Sequence, residues 1–422
     1  MASPPAKTHI LDRNNYTSHH LVTLSPAPTL PPLPPSSLRL RTKIISLSTN
    51  NLSYARMGHL LGWWDTYPLP LEQTPAPFND ASKYGRISAW GYAEVVESNV
   101  AGIEAGSATL YGYLPISSEV WTVAVEQTGI KGQIVVVDAY RQHLLKMYNR
   151  YTVLGASVAE LEERGDGGLD SLGWDALMLP TFGTAYNMNM YGFAWEDGNR
   201  VHPGGEREWT AADADLDDAV VVVLNASGKT AMSWAYALRN YRPKEHQPKM
   251  IVGVASEASK AVVEGSGFYD KVVLNPDAEA FVADPALSQA RRVLLFDFGA
   301  REGALKSWRS ALSSAGIPFT FMGLGGEVKA LSQEEVMKAL SSQPSDRIQV
   351  HADVMREKGI AVKGQQYFDE FNHTWERFKA TGGIRGINLV WGQSLEDWEQ
   401  GWEALCHDKI PNMAGTGLLY RI

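Results

Sequence analysis

The 422-residue chain carries a single cysteine, Cys406. One thiol excludes an intrachain disulfide and any metal site built from several cysteines. The histidines do not replace it: His19-His20, His143, His202 and His351 show no metal-ligand spacing, so no metal is expected. No run approaches the roughly 20 apolar residues that a membrane helix needs. Residues 1–20 carry charges, histidines and prolines where a signal peptide would have an apolar stretch. No membrane partner is therefore expected, and a reducing, cytoplasmic setting is. Positive charge is scarce: 38 Lys and Arg stand against 47 Asp and Glu, a net charge of −9. That excludes a general nucleic-acid surface but leaves room for a local basic pocket around a phosphate. Two catalytic patterns are missing as well: the G-x-S-x-G elbow, and a Tyr followed four residues later by Lys. The glycine fingerprint G-x-G-x-x-G of dinucleotide-binding folds is also absent.

What stands in its place is the most informative stretch of the chain. Val220–Leu224 reads as a buried strand, Asn225-Ala226-Ser227-Gly228 as a tight turn of small residues, and 229–240 as a helix. A strand, a small-residue turn and a helix N-terminus make an anion site, because free N–H groups and the positive end of the helix dipole meet there. Gly228-Lys229-Thr230 is not a P-loop, since the position that motif reserves for its first glycine is Val223. The turn is read as a cofactor pyrophosphate site formed by Ala226, Ser227, Gly228, Lys229 and Thr230. A domain that has lost its cofactor would show the same turn.

The second strand, 250–255, ends at Ser256 with no acid before Glu257. NAD-selective sites place an Asp or Glu there to accept from the ribose 2′-OH. Ser256 and Lys260 instead suit a 2′-phosphate, hence NADP(H); the alternative for Lys260 is a solvated helix lysine.

Further strands are predicted at 38–48, 87–96, 108–114, 120–125 and 133–137, separated by Gly, Pro and Asn, as in a small barrel. Proline-rich 26–36 reads as a stiff connector between strands. Helical periodicity is read from Arg141 onward, and polar, Gly-rich 187–217 as a long insertion. After Asp218 strands at 220–224, 250–255, 271–274, 292–296 and 318–322 alternate with helices at 229–240, 257–266, 302–315 and 333–340. That alternation predicts a doubly wound parallel sheet. Phe298-Gly299-Ala300 and 323–326 follow strands at their carboxyl ends, where ligands bind in such sheets. Helices at 352–357, 366–380 and 396–405 and a strand at 387–391 complete the chain.

The order of elements resembles the medium-chain dehydrogenase/reductase superfamily. Ala105–Gly112 resembles its Gly-Asp-x-Val-x-Gly turn, with Ser107 for the usual Asp. Leu177–Tyr186 (LMLPTFGTAY) resembles its Leu-Pro…Thr-Ala-Tyr helix, and Ser48–Tyr54 its first active-site turn. Within it, a family catalogued only as a domain of unknown function is similar at Asn50–Ala55, Trp63–Asp65, Trp90–Val95, Tyr113–Pro115 and Ser227–Ala231, across residues 38–422. The resemblance implies an α/β chain: a β-rich GroES-like substrate domain over 1–186, a Rossmann domain over 187–345, and a C-terminal return over 346–422. It implies a zinc-free, NADPH-dependent reductase, since the Gly-His-Glu segment of zinc-dependent members is missing. A homodimer through the sheet edge is common in the superfamily. In zinc-free relatives polar groups near the nicotinamide polarise the substrate oxygen. Asn51 and Tyr54 lie in the matching turn, and Tyr113 is placed along the same cleft, so these three are the catalytic candidates. A tyrosine donates a hydrogen bond at neutral pH without ionising; the alternative for each is a wall or core aromatic. The expected substrate is a small apolar carbonyl or enone. A cyclase, isomerase or lyase on the same scaffold, or a non-catalytic ligand-binding protein, are the rival readings.

Overall fold

In the chain's first half, branched and aromatic residues alternate with polar ones and break at Gly, Pro and Asn, the pattern of short half-buried strands. The computed structural model, which describes residues 4–26, 30–164, 167–301, 303–327 and 329–422, bears this out. A hairpin of β1 (Lys7–Asp12) and β2 (His19–Thr23) comes first. It is followed by β3 (Ser37–Leu47), the two-residue β4 (Tyr84–Gly85), β5 (Ser88–Ser98), β6 (Thr109–Pro115), β7 (Val120–Gln127), β8 (Gln133–Val136) and β9 (Arg150–Leu154). The order β3-β5-β6-β9-β8-β7 closes on itself, because β3 pairs with both β5 and β7. Leu38, Leu40, Val95, Leu110, Val123, Ile134 and Val136 fill the interior. The strand period of two then turns Trp90, Tyr92 and Tyr111 to the outer face.

Two expectations need correction here. Residues 48–55 were expected as a turn, but 49–61 form helix α1 (Thr49–Leu61), entered through a capping box of Ser48 and Asn51. Helicity expected from Arg141 onward is interrupted by β9, whose five residues are too short to show a period. The long helix is α2 (Gly168–Asn187), which contains Pro180. Proline leaves the carbonyl four residues back without its N–H; Ser46 Oγ donates to that Ala176 carbonyl at 2.7 Å.

Residues 187–217 do not form a polar excursion. A π-helical turn, Met188–Gly192, continues α2, and Tyr191, Phe193 and Trp209 are buried in the main core. The Gly and Asp content concealed three aromatic anchors.

The parallel sheet is as predicted, with one strand more. It contains β10 (Ala219–Leu224), β11 (Met250–Ala255), β12 (Lys271–Leu274), β13 (Arg292–Phe298), β14 (Phe319–Gly325) and the three-residue β15 (Arg347–Gln349). Their order is β12-β11-β10-β13-β14-β15. Chain direction across the sheet reverses between β10 and β13, the switch point where the crevice of such sheets lies. Helices α3 (Lys229–Asn240), α4 (Glu257–Ser266), α5 (Ala304–Ser314) and α6 (Gln333–Ser341) cover its faces. Residue 302, the start of one expected helix, and residues 27–29 of the proline-rich stretch lie outside the described residues.

The chain returns through α7 (Ala352–Lys363) and α8 (Gln365–Ala380) to β16 (Asn388–Gly392), α9 (Leu395–Cys406) and β17 (Thr416–Arg421). β17 pairs with β3, so the C-terminus extends the barrel sheet. No helix of the described residues is long and apolar enough to cross a membrane.

Candidate functional site

The turn after β10 is shaped by its own backbone. Asn225 takes a left-handed φ of 56°, which Asn tolerates, and its Nδ2 donates to the Phe298 carbonyl at 3.1 Å. Ala226 is fully buried; its N–H donates to Val254 O at 3.0 Å, and its carbonyl accepts from the Tyr269 hydroxyl at 2.8 Å. The Gly228 N–H is taken up by Asn225 O at 2.9 Å. Ala226 and Gly228 therefore hold the turn. The groups that open α3 are left to receive a ligand, because the N-cap, Gly228, brings no side chain to its first turn.

Lys229 stands at that helix start. Its Nζ lies 3.5 Å from the Thr416 carbonyl, and no carboxylate pairs with it among the described residues. Burial depresses its pKa from 10.5 to about 8. An unpaired ammonium and an uncapped helix N-terminus at one place are the donor set of a phosphate site. Ser256 and Lys260 lie on the next unit. Ser256 is the N-cap of α4, with its hydroxyl 3.0 Å from that of Ser259. Lys260, partly exposed, reaches Glu264 only at 3.8 Å. Such an exposed pair holds a lysine weakly.

Across the switch point, Asp297 is buried, and its carboxylate accepts from the N–H groups of Gly299 (2.9 Å) and Ala300 (2.7 Å). Gly299 has a φ of 101°, and a Cβ there would stand 2.3 Å from Gly326 O. Only glycine satisfies both conditions. The 298–300 and 323–326 loops thus interlock. Arg56 of α1 reaches them from the barrel domain, with Nη1 donating to the Glu327 carbonyl at 2.9 Å. Sequence reading missed this strut; a lone arginine on a helix gives no signal of what it spans.

The three catalytic candidates are brought near one another but are all buried. Asn51 Oδ1 accepts from the Ser48 N–H at 2.9 Å, and Nδ2 donates to Ser88 O at 3.2 Å. Its amide is committed to the cap. Tyr54 accepts from Trp90 Nε1 at 3.1 Å. Burial pushes its pKa up to about 12, against the pull of hydrogen bonds with Trp90 and Tyr148. Its ring packs 5.1 Å from that of Tyr113, whose buried hydroxyl has no partner.

In front of this cluster lies a cavity of about 290 Å³ that the sequence did not reveal. One wall is the outer face of the barrel, with Trp90, Tyr92, Tyr111, Arg150 and Thr152. The facing wall is a stripe of α2, Asp175, Leu179, Gly183 and Asn187, at the four-residue spacing that keeps one helix face. α8 closes it with Phe368, Phe371 and Trp375, and α7 with Arg356. Asp175 ties the walls together. It accepts from the Tyr92 hydroxyl (2.5 Å), Trp375 Nε1 (2.6 Å) and Lys379 Nζ (2.9 Å). Among the described residues no group of three or more His, Cys, Asp or Glu side chains could hold a metal ion.

A family model described as "Protein of unknown function (DUF2855)" matches residues 45–411. No curated protein matches the chain. A mutant enoyl thioester reductase from Candida tropicalis superposes with a TM-score of 0.56 at 9% identity, over 99% of this chain and 100% of that one. The ETR1P/NADP/crotonyl-CoA complex gives 0.56 at 10%, over 99% and 100%. CurA of Vibrio vulnificus, in complex with NADPH, gives 0.52 at 12%, over 98% of each chain. At these identities the likeness is one of fold: barrel and Rossmann parts arranged as in medium-chain reductases.

Proposed function

The chain belongs to the DUF2855 family, and we propose that this member is an NADPH-dependent, zinc-independent reductase of a small apolar carbonyl or enone. One observation carries the reading: the Lys229 ammonium sits without a carboxylate partner at the uncapped start of α3. A half-buried cation in that state calls for an anion, and a dinucleotide pyrophosphate is the anion that a turn at the switch point suits. The structural relatives solved with NADPH or NADP support the same choice. Ser227, Lys229 and Thr230 would hold the pyrophosphate, Ser256 and Lys260 a ribose 2′-phosphate, and the Phe298-Gly299 loop the nicotinamide end. When bound, the nicotinamide supplies the hydride. The chain's own part is to orient the substrate and exclude water, and the aromatic cavity in front of Trp90 is the place for it.

The test is a thermal-shift comparison. NADPH should raise the melting temperature more than NADH at equal concentration, since binding stabilises by RT ln(1 + [L]/Kd). Lys260→Ala should narrow the difference. Equal shifts, or none, would refute the cofactor assignment. Dialysis against a chelator should leave both activity and melting temperature unchanged; stoichiometric bound zinc would contradict zinc independence.

Tyr54 and Tyr113 enter the proposal as the layer behind Trp90, because Trp90 and not Tyr54 lines the cavity. Tyr54→Phe leaves a buried indole N–H unpaired. It should cost about 1–3 kcal/mol of stability and lower kcat by less than 100-fold. A loss of about 10²–10⁴-fold in kcat at unchanged stability would instead mark Tyr54 as the proton donor.

A further inference from the structure

The cavity holds two guanidinium groups that no carboxylate pairs with directly among the described residues. Arg150 and Thr152 alternate on β9, and Gln133 stands opposite Thr152 on β8, so all three side chains share the outer face of the barrel. Arg150 Nη1 is buried and has no hydrogen-bond partner, and neither has Gln133 Oε1, on a residue only 6% exposed. Burial raises the pKa of the Tyr367 hydroxyl, and Arg356, which approaches it from α7, opposes that rise. Neither arginine forms an ion pair with a carboxylate among the described residues.

The carboxylates around them are otherwise engaged. Glu357 pairs with Lys146 at 3.0 Å. Asp353 accepts from the Lys146 and Met147 N–H groups at 3.1 and 2.9 Å. Asp175 and Glu376 share Lys379, at 2.9 and 3.0 Å. Two like charges facing one cavity repel: burial and Arg356 lower the Arg150 pKa, and Glu357, Tyr367 and Asp353 offset this only in part. Such an arrangement is relieved when an anion enters. Trp90, Tyr111, Leu179, Phe368, Phe371 and Trp375 also line it, beside polar groups such as Asn187 and Asn372, and these apolar faces suit an apolar body.

We propose that this cavity binds an apolar organic acid, with the carboxylate held between Arg150 and Arg356 and the hydrocarbon or aromatic part between Trp90 and the α8 aromatics. A guanidinium fork matches a carboxylate in plane and in charge. The inference rests on the reading that the cavity is the substrate site, and it narrows that substrate to an oxo acid or enoic acid.

Binding of benzoate, cinnamate and octanoate, each against its primary amide, tests it by isothermal titration with no cofactor present. Indole fluorescence of Trp90 and Trp375 gives a second readout. At least one acid should bind 10-fold or more tightly than its amide. Arg150→Gln and Arg356→Gln should each weaken the acid about 10–100-fold and leave the amide unchanged. If Arg150→Gln does not fold, Arg356→Gln and the wild-type comparison decide the matter. Acids bound no better than their amides, or acid affinity indifferent to the arginine variants, would overturn the proposal. The two readings fail separately. Acid binding without an NADPH thermal shift supports the acid site while refuting the reductase. NADPH-dependent turnover of a neutral carbonyl, with no preference for any acid, does the reverse.

Discussion

Replacing Lys229 with Met should raise the melting temperature of the cofactor-free protein and remove most of the rise that NADPH produces. The two effects have one cause. Burial holds the Lys229 pKa near 8 rather than 10.5, so the folded state bears the cost of an unpaired ammonium at neutral pH. Methionine fills a similar volume with no charge and should recover about 1–3 kcal/mol. The pH dependence follows in sign. Between about pH 8 and 10.5 the unfolded chain holds this proton more often than the folded one. Stability of the wild type therefore gains from this group as pH rises through that window, and the cost is gone above it. The advantage of Lys229→Met should be complete below pH 8 and vanish above 10.5. With NADPH that advantage should largely disappear: loss of a charge-assisted contact to phosphate should weaken binding by about 10–100-fold. Melting curves at pH 7 and 10.5, with and without NADPH, check all four corners. A variant no more stable without cofactor, or one that binds NADPH as well as wild type, would remove Lys229 from the site.

Asp175→Ala should be the most destabilising single change at the cavity, at about 3–5 kcal/mol in denaturant unfolding. The carboxylate accepts from three side chains on two elements, Tyr92 of β5 and Trp375 and Lys379 of α8, while itself belonging to α2. Burial works against the Lys379 ammonium, and Asp175 and Glu376 more than offset it, keeping its pKa above the ordinary value. Alanine leaves that ammonium with Glu376, which is largely exposed, and the neutral Ser171 hydroxyl at 2.8 Å, and leaves the Tyr92 hydroxyl and the Trp375 indole unpaired. Tyr92→Phe, which removes only one donor, should cost about 1 kcal/mol. Equal losses for the two variants would show that Asp175 contributes one hydrogen bond and not a junction.

Legibility differed by element, for physical reasons. The five-residue, mostly β-branched run Val220–Leu224 and its small-residue turn identify a buried parallel strand entering a helix, because the run is too short for a helix and is bounded by turn residues. β9 and β15, at five and three residues, carry too few periods to be read. The resemblance of Ser48–Tyr54 to the superfamily's first active-site turn places Asn51 in a turn; the structure uses Ser48 and Asn51 as the capping box that opens α1. At the candidate site the phosphate turn was legible and the cavity was not. Lys229 was legible as a residue, while its lack of a carboxylate partner among the described residues was not.

The sequence by itself determined what local pattern and composition determine: a β-rich half, a βα alternation with its anion-ready turn, and no spacing that would hold a metal. Only the tertiary structure decided which charges go unpaired. Arg150, Asp175, Arg356 and Trp375 come from four elements of the fold, and each is unremarkable where it stands in the chain. Their meeting around one cavity depends on barrel closure through β3 and on the return of α7 and α8 across α2. These are contacts between residues up to about two hundred positions apart, as between Asp175 and Trp375, which no local period records. Burial and pairing belong to the packed state, and so does the chemistry that depends on them.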